Sequence, residues 1–276
     1  MKIITDTSAL ISPAAGKEYG LTVVPVGVAI DGMTFQDYTE ISSEEFLRRI
    51  EAGGVPTSSQ PAIGDMLDAL ESSDEEMLLL TVGDGLSGAY QSAMSARSLL
   101  EDPHRVHVLN SKTLAGALQH LVKKAVTLKE SGLDIHQIKE QLHSRIESSL
   151  SFVIPEDFDF LRRSGRLTPI AARIGSALNL LPVLTQTGDK TRITPVGVRR
   201  RWSSALDMVF QRMDKLESGD GHKICVCHGG VPQRAAEVLA LVRQRFPAAE
   251  TEVLPLSPAL ITHGGPGCIV IQAIAI

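Results

Sequence analysis

Apolar runs of strand length alternate along the chain with stretches in which apolar residues recur at helical spacing. The clearest unit begins with the continuous apolar run from Met77 to Val82, which is followed by a loop that holds three glycines and Ser87. From Ala89 onward, small and apolar residues recur at helical spacing. This pattern predicts a strand, a tight loop and a helix, whose first N–H groups and the Ser87 hydroxyl point to one place. We expect an anionic group to bind there.

The same alternation extends over the whole chain and predicts an α/β fold. Strands are predicted at 2–5, 21–30, 77–82, 105–109, 151–154, 180–186, 191–198, 222–228, 250–254 and 268–276. Helices are predicted near 43–50, 63–70, from 89, at 113–131, from 134, from 158, at 203–216 and at 234–246. We expect two domains, 1–154 and 155–276, because Pro155 interrupts the pattern.

Composition narrows the classes of function. The chain has 276 residues and a net charge of −5, which argues against nucleic acid as the main partner because a phosphate backbone requires a basic face. Hydrophobic residues make up 43% and aromatic residues only 4%, so a buried surface is mainly aliphatic and suits a core or an aliphatic ligand equally. Three cysteines late in the chain indicate a reducing compartment, and no apolar run approaches membrane-spanning length, so we expect a cytoplasmic protein without stable membrane insertion.

Two polar stretches near the start of the chain are candidates for ligand binding. Asp6, Thr7 and Ser8 follow the first predicted strand, where they either contact a ligand or cap the following turn. Ser58 and Ser59 lie in the sequence Pro-Thr-Ser-Ser-Gln-Pro, whose prolines restrict the backbone to extended or turn conformations. A solvated loop does not need that stiffness, although a linker whose serine caps the next helix remains an alternative.

Two arginine clusters are candidate sites for a phosphate or a carboxylate. Arg166 closes the first cluster, in the sequence Arg-Arg-Ser-Gly-Arg, and the run from Arg199 to Arg201 precedes the predicted helix at 203–216. The planar guanidinium group suits such anions because it can donate two parallel hydrogen bonds. A solvated surface is the more usual explanation of a charged run.

A histidine and two cysteines raise the question of ligand or metal binding near the end of the chain. His263 stands in the sequence Ile-Thr-His-Gly-Gly-Pro-Gly, in a predicted loop where nothing local buries or pairs its ring, so we expect a ligand-binding or catalytic role. Cys225, Cys227 and His228 resemble a metal-binding pattern, but strand residues alternate in direction and no second ligand pair accompanies them. We expect buried thiols there and no metal.

A dinucleotide-binding enzyme is one alternative for the glycine-rich loop. The spacing Gly83-x-Gly85-x-x-Gly88 fits the dinucleotide fingerprint. However, Asn110 stands where an acid that binds the ribose hydroxyls is expected, and the loop follows the third or fourth strand instead of the first. The fingerprint alone is therefore a weak signal.

A serine hydrolase is the second alternative. Ser87 would be the nucleophile, His263 the base and Asp6 the acid. The nucleophile elbow is incomplete because Ala89 occupies the position of its last glycine. A hydroxyl that only donates a hydrogen bond to a carboxylate needs no such elbow.

Seven motifs, taken together and in order, resemble those of the DegV family of bacterial fatty-acid-binding proteins. They are Asp6-Thr7-Ser8, Thr57-Ser58-Ser59-Gln60-Pro61, Leu86-Ser87-Gly88-Ala89-Tyr90-Gln91-Ser92-Ala93, Phe160-Leu161-Arg162-Arg163-Ser164-Gly165-Arg166-Leu167, Leu181-Pro182-Val183-Leu184, Val196-Gly197-Val198-Arg199 and His263-Gly264-Gly265-Pro266-Gly267. Each motif is weak alone, but seven in the same order are specific.

The resemblance implies two α/β domains with mainly parallel sheets and one long-chain fatty acid in a tunnel between them. The contacts that the family makes to the carboxylate correspond here to Ser58, Ser87 and His263. Ser59 and Gly88 belong to the same motifs and are included among the carboxylate-binding candidates.

The resemblance also implies a carrier that is not itself an enzyme. In characterised relatives, a separate ATP-dependent fatty acid kinase phosphorylates the bound carboxylate, and the acyl phosphate enters phospholipid synthesis. By this resemblance, Arg166, Arg199 and Arg201 face the kinase or the new phosphate, and His263 takes part in the chemistry. No cofactor or metal is expected besides the bound lipid.

Overall fold

The computed structural model describes residues 1–173, 180–217 and 219–276, and the chain separates into two compact units. Unit 1 comprises Met1–Glu147 together with Ser257–Ala259, and unit 2 comprises Ser148–Leu256 and Leu260–Ile276. The domain boundary predicted between residues 154 and 155 stays a prediction.

Unit 1 contains a parallel sheet and a small antiparallel sheet. Its strands are β1 (Lys2–Asp6), β2 (Leu21–Val24), β3 (Gly27–Ile30), β4 (Met33–Gln36), β5 (Thr57–Ser59), β6 (Met77–Thr81) and β7 (Val106–Asn110). Its helices are α1 (Pro13–Glu18), α2 (Ser43–Glu51), α3 (Ile63–Glu71), α4 (Ala89–Ser98), α5 (Ala115–Glu130) and α6 (Ile135–Ser148). The parallel sheet has the order β2-β1-β6-β7, and β3 pairs antiparallel with β4 and β5.

The predicted strand, loop and helix unit is confirmed as β6 and α4. Every residue of β6 is buried, which is typical of a parallel strand covered on both faces and explains its continuous apolar sequence. Leu79 of β6 packs in one core cluster with Met66 and Leu70 of α3 and Ala93 of α4. This packing fixes the start of α4, and with it Ser87, at the carboxyl end of β6.

The single strand predicted at 21–30 is wrong, because the structure divides it into β2 and β3. Pro25 separates the two strands, since proline has no N–H group for a sheet and restricts the residue before it. The backbone of Val26 is held instead by the Thr7 hydroxyl at 3.0 Å and by the N–H group of Asp37 at 2.9 Å. The stiff segment Thr57–Ser59 is extended and forms β5 beside β3.

Unit 2 contains a mixed sheet. Its strands are β8 (Leu150–Ile154), β9 (Leu181–Gln186), β10 (Ile193–Arg199), β11 (His222–His228), β12 (Glu250–Pro255) and β13 (Ile269–Ala275). Its helices are α7 (Phe158–Ser164), α8 (Pro169–Ala172), α9 (Trp202–Met213), α10 (Pro232–Arg245) and α11 (Pro258–Gly264), of which α11 begins in residues counted with unit 1. The strand order is β10-β9-β8-β13-β11-β12.

The prediction of a mainly parallel sheet is wrong for unit 2. In its described residues only β11 and β12 pair in parallel, whereas the other neighbouring strands are antiparallel. The turn from Thr187 to Arg192 joins β9 and β10 directly and is too short for the crossover that parallel strands require. The α/β class is confirmed. The short turn between the predicted strands at 180–186 and 191–198 does indicate the antiparallel pair β9 and β10, but the sequence pattern does not indicate the antiparallel pairing of β8 and β13 with their other neighbours.

Candidate functional site

Two of the candidate motifs meet in unit 1. Gly88 immediately precedes α4, and a side chain at this position would overlap the amide group of Gln60, which belongs to the motif that contains Ser58 and Ser59. A side chain at Gly88 could therefore be accommodated only if the Gln60 side chain moved. The structure brings together two serine-containing segments that lie far apart in the sequence.

The two serines of β5 face opposite ways because side chains alternate along a strand. Ser58 is opposite Val28 of β3 and is half-buried, whereas Thr57 and Ser59 are exposed. Ser58 is thus the more sheltered of the two serine candidates. Ser87 is also half-buried, and its hydroxyl accepts a hydrogen bond from the N–H group of Ala89 at 3.2 Å.

The capping interpretation of Asp6 is confirmed. Its carboxylate accepts hydrogen bonds from the backbone N–H groups of Ser8 at 2.8 Å and of Val82 at 3.3 Å. Burial raises the pKa of Asp6, and the hydrogen bonds from Ser8 and Val82 oppose that rise. Asp6 therefore joins the end of β1 to the segment after β6, which is a structural role.

Asn110 has a similar supporting role at the end of β7. Its side-chain oxygen accepts hydrogen bonds from the N–H groups of Asp84 at 3.1 Å and Lys112 at 3.0 Å. The position where a dinucleotide-binding protein would carry a ribose-binding acid is thus used to hold the glycine-rich loop.

The loop predicted around His263 is wrong, because the histidine lies in the last turn of α11. A serine followed by proline is a common start of a helix, and Ser257 with Pro258 was the sequence signal for this one. The three glycines and the proline that follow His263 are typical of a loop, and the loop prediction rested on them. Contrary to the prediction, the structure buries much of the imidazole.

His263 and Arg166 interact electrostatically within unit 2. Burial and, to a smaller extent, the positive charge of Arg166 together lower the pKa of His263 to about 3. Burial also lowers the pKa of Arg166, which follows Gly165 at the end of α7 and is half-buried. At neutral pH the pair therefore consists of a neutral imidazole and a guanidinium cation.

A second glycine sets the backbone beside His263. Gly265 has a φ of +77°, and a side chain there would lie 2.7 Å from the ring of Phe160 in α7. Its left-handed conformation and the close ring both require glycine. This contact joins the motif that begins at His263 to the motif that ends at Leu167.

Arg199 and Arg201 are both exposed. Arg199 ends β10 and donates a hydrogen bond to the carbonyl of Val198 at 2.9 Å. Arg201 immediately precedes α9. Whether these side chains face a kinase or a phosphate stays a prediction.

Cys225, Cys227 and Cys268 are buried thiols that are not joined in disulfide bonds, and burial is expected for small thiols on a packed strand and beside it. Among the described residues, no group of three His, Cys, Asp or Glu side chains is arranged to hold a metal ion. Within the same part of the chain, no helix is both long enough and apolar enough to cross a bilayer.

Comparison with known proteins identifies the family. The sequence profile of the DegV family, described as uncharacterised proteins, matches residues 1–275. The chain belongs to the DegV family. This confirms the resemblance that the seven motifs indicated, and the DegV assignment covers both units.

Individual DegV relatives match over nearly their whole length. The DegV domain-containing protein YteA of Lactococcus lactis is 29% identical over 285 residues, which cover 99% of this chain and 97% of that protein. A solved structure of a DegV family protein from Thermus thermophilus, described by its fatty acid binding, is 26% identical in sequence and has a TM-score of 0.88. The match covers 100% of this chain and 99% of the Thermus chain. DegV of Bacillus subtilis, described as a fatty acid binding protein, is 22% identical and has a TM-score of 0.87. The match covers 100% of this chain and 99% of the Bacillus chain, and it shows a shared fold.

Proposed function

We propose that this DegV protein binds a long-chain fatty acid and presents its carboxylate to a separate ATP-dependent kinase, which converts it to an acyl phosphate. The observation that carries the proposal is the close approach of Gln60 to Gly88, which brings the segments of Ser58 and Ser87 together. Fatty acid binding by the Thermus thermophilus relative supports the choice of ligand.

The physical requirements of the ligand fit the composition of the chain. Burial of each methylene is favourable by about 0.8 kcal/mol, so a sixteen-carbon tail contributes on the order of 10 kcal/mol before ordering costs. An aliphatic channel supplies that burial, and the chain is rich in aliphatic and poor in aromatic residues. Burial of the carboxylate opposes binding unless several donors meet it.

The proposed donors are hydroxyl groups in unit 1 and an imidazole in unit 2. Ser58 and Ser87 donate their O–H groups, while the first N–H groups of α4 beside Gly88 add donors and the positive end of the helix dipole. Ser59 is exposed and plays a smaller part. His263 is neutral at pH 7 and donates one ring N–H, and the charge of Arg166 favours an anion beside it.

The kinase step places two further demands on the site. His263 holds the carboxylate while one of its oxygens attacks the terminal phosphorus of ATP and ADP leaves. We therefore expect His263→Ala to reduce acyl phosphate formation more severely than it weakens binding. Arg166, Arg199 and Arg201 contact the kinase or the new phosphate, because guanidinium groups bind phosphate oxygens in pairs.

The first experiment identifies the ligand. The purified protein is denatured and extracted with organic solvent, and the fatty acids in the extract are identified and quantified by mass spectrometry. A control protein that is purified in parallel is extracted in the same way. About one long-chain fatty acid per chain is expected, as for a ligand enclosed in a single site. An extract that matches the control would contradict the proposal.

The second experiment tests the kinase step. The fatty-acid-loaded protein is incubated with a purified ATP-dependent fatty acid kinase, and the acyl phosphate is trapped with hydroxylamine. Wild type is expected to give acyl hydroxamate, and His263→Ala is expected to give none while it retains extractable fatty acid. Unchanged product from His263→Ala would exclude its chemical role.

No observation favours a hydrolase. A nucleophile elbow holds its serine in a strained turn, but Ser87 is not among the described residues with left-handed backbone, and Asp6 is engaged by backbone N–H groups. We expect neither hydrolysis of p-nitrophenyl esters nor labelling by a fluorophosphonate. A titration with NADH is expected to show no binding.

A further inference from the structure

The glutamine of the Pro-Thr-Ser-Ser-Gln-Pro motif has no chemical role in the proposed function. Gln60 follows β5 directly and precedes Pro61, which disfavours helical backbone at Gln60 and favours an extended one. The alternation of side chains along β5 therefore continues to Gln60. Ser58 and Gln60 lie on one side of this segment, and Ser59 lies on the other.

Two close contacts show what each side of the segment faces. Ser59 is opposite Gly27 of β3, and its hydroxyl overlaps the place that a Cβ atom at Gly27 would take. On the other side, the carboxamide of Gln60 lies against Gly88, where a Cβ atom would be 2.6 Å from Cδ and 3.3 Å from Nε2 of Gln60. The side that carries Ser58 and Gln60 therefore faces the start of α4, and Ser59 faces away from it.

The contact with Gly88 places an amide group at the start of α4. Gly88 follows Ser87 in the sequence and immediately precedes α4, where no side chain caps the helix. Within the part of the chain that the structure describes, the Gln60 amide makes no hydrogen bond to another residue. It is exposed, so its donors are free to exchange water for a ligand.

A carboxamide at this place suits a carboxylate ligand. The amide nitrogen carries two N–H donors, and it can turn toward an anion by rotation about the last side-chain bond. A carboxylate has two oxygens with about four acceptor positions, whereas each serine hydroxyl supplies one donor. A third donor beside Ser58 and Ser87 therefore meets an acceptor that two hydroxyls leave open.

We propose that Gln60 is a further binding residue for the fatty acid carboxylate, because β5 and Pro61 hold its carboxamide against Gly88, next to Ser87 and the first N–H groups of α4. Its Nε2 group donates a hydrogen bond to one carboxylate oxygen. This inference rests on the proposed function, since it adds a ligand to the same site.

The test measures the affinity of the delipidated protein for oleate by displacement of a fluorescent fatty acid. Gln60→Ala removes the donor and should weaken oleate binding about 10-fold, as for one hydrogen bond to a charged group. Gln60→Glu keeps the shape of the side chain but replaces the donor by a second negative charge. It should therefore weaken binding more than Gln60→Ala does.

Two controls separate ligand binding from net charge and from folding. Gln141→Glu makes the same change at an exposed position of α6 in unit 1, and it should alter the affinity by less than about twofold because an exposed charge is screened. Urea unfolding of the Gln60 variants should give nearly wild-type stability, as for other exposed side chains. The ¹³C resonance of carboxyl-labelled palmitate is a second readout, which Gln60→Ala should shift.

Three results would overturn the proposal. Oleate affinities of both Gln60 variants equal to that of wild type would show that the amide does not touch the ligand. Wild-type affinity in Gln60→Glu with a loss only in Gln60→Ala would show that the side chain merely covers Gly88. A loss in Gln141→Glu as large as that in Gln60→Glu would assign the effect to net charge.

The solvent extraction described above tests fatty acid binding separately. Wild-type protein that yields no fatty acid would refute the proposed function. Wild-type protein that yields fatty acid, together with Gln60 variants of unchanged affinity, would refute the role of Gln60 alone.

Discussion

The candidate ligands of unit 1 and those of unit 2 differ in chemistry and in rigidity. Ser58 and Ser87 of unit 1 are neutral donors, whereas His263 and Arg166 of unit 2 are a titratable group beside a fixed charge. In each unit, a glycine near these residues packs closely against another side chain: Gly88 against Gln60 in unit 1, and Gly265 against Phe160 in unit 2. In unit 1 that neighbour is an exposed, flexible amide, and in unit 2 it is a buried aromatic ring.

In the proposed carboxylate site, this difference separates two demands of binding. The hydroxyls of unit 1 can rotate toward an anion at any pH, so their contribution depends on chemical identity more than on exact position. The proposed contribution of His263 depends on its protonation state and on the backbone at Gly265, which has a left-handed conformation and lies against the ring of Phe160. Substitutions and changes of pH should therefore affect the two units differently.

The largest expected effect is on the pH dependence of stability. The folded pKa of His263 lies below its unfolded value of 6.5, so its contribution to stability is lost as pH falls from about 6.5 toward 3. The folded pKa of Asp37 lies above its unfolded value of 3.8, so its contribution is lost as pH rises from about 4 to 7. Each effect is on the order of a few kcal/mol.

Urea unfolding at several pH values measures both slopes. His263→Gln is expected to weaken the loss of stability in acid, and Asp37→Asn is expected to weaken the loss toward neutral pH. Parallel curves for wild type and both variants would show that neither group is buried as described.

The next largest effect is expected at Gly265. Gly265→Ala forces a side chain into left-handed backbone and against Phe160, so it should lower the free energy of unfolding by about 2–4 kcal/mol. Gly188→Ala is the matched control in unit 2, because it meets no neighbour within 4 Å and should change stability by less than about 0.5 kcal/mol. Equal stability of the two variants in urea would contradict the described packing.

The serines of unit 1 are expected to affect binding more than stability. Ser58→Ala or Ser87→Ala removes a hydrogen bond to a charged group and should weaken oleate binding by roughly 10- to 100-fold. Ser95→Ala, an exposed serine of α4, is the control and should leave the affinity unchanged. Displacement of a fluorescent fatty acid measures the affinities, and unaltered binding by both site variants would remove unit 1 from the carboxylate site.

A smaller effect is expected on the pKa of His263 when Arg166 is replaced. Arg166→Gln removes the positive charge that adds to burial, so the pKa should rise but stay below 6.5. Arg162→Gln, whose partner is Asp159 at 3.0 Å on the surface of α7, is the control. An NMR titration of the His263 ring measures the change. An unchanged pKa of His263 in Arg166→Gln would show that the two groups are not electrostatically coupled.

The smallest effect is expected at Gly88. Gly88→Ala places a methyl group against the end of the Gln60 side chain, which is exposed and can move away. The loss of stability should therefore stay below about 1 kcal/mol, well under that of Gly265→Ala. If Gly88→Ala were as destabilising as Gly265→Ala in urea, the two glycines would not differ in the rigidity of their neighbours.

The elements that could be predicted from the sequence are those specified by local pattern. A continuous apolar run identifies β6 because a parallel strand is buried on both faces, and the glycines before Ala89 mark the start of α4. Asp134 and Gln137 likewise form a reciprocal cap before α6, which is a local signal readable from two residue types at a fixed spacing.

What could not be predicted depends on contacts between distant segments. The antiparallel neighbours of β13 and the buried state of Asp37 arise from pairing and packing that no local pattern encodes. The helix of His263 was missed for another reason, since the glycines after it outweighed the start signal at Ser257. The motifs identified the family, but the contact of Gln60 with Gly88 required the structure.

One measurement tests most directly whether both units supply donors to the carboxylate. Palmitate labelled with ¹³C at its carboxyl carbon is bound to the protein, and its resonance is compared in wild type, Ser58→Ala, Ser87→Ala and His263→Gln. We predict a bound signal distinct from free palmitate that each of the three substitutions shifts, while Ser95→Ala does not. A carboxyl resonance that is unaffected by both serine substitutions, or by His263→Gln, would contradict a carboxylate held by these residues.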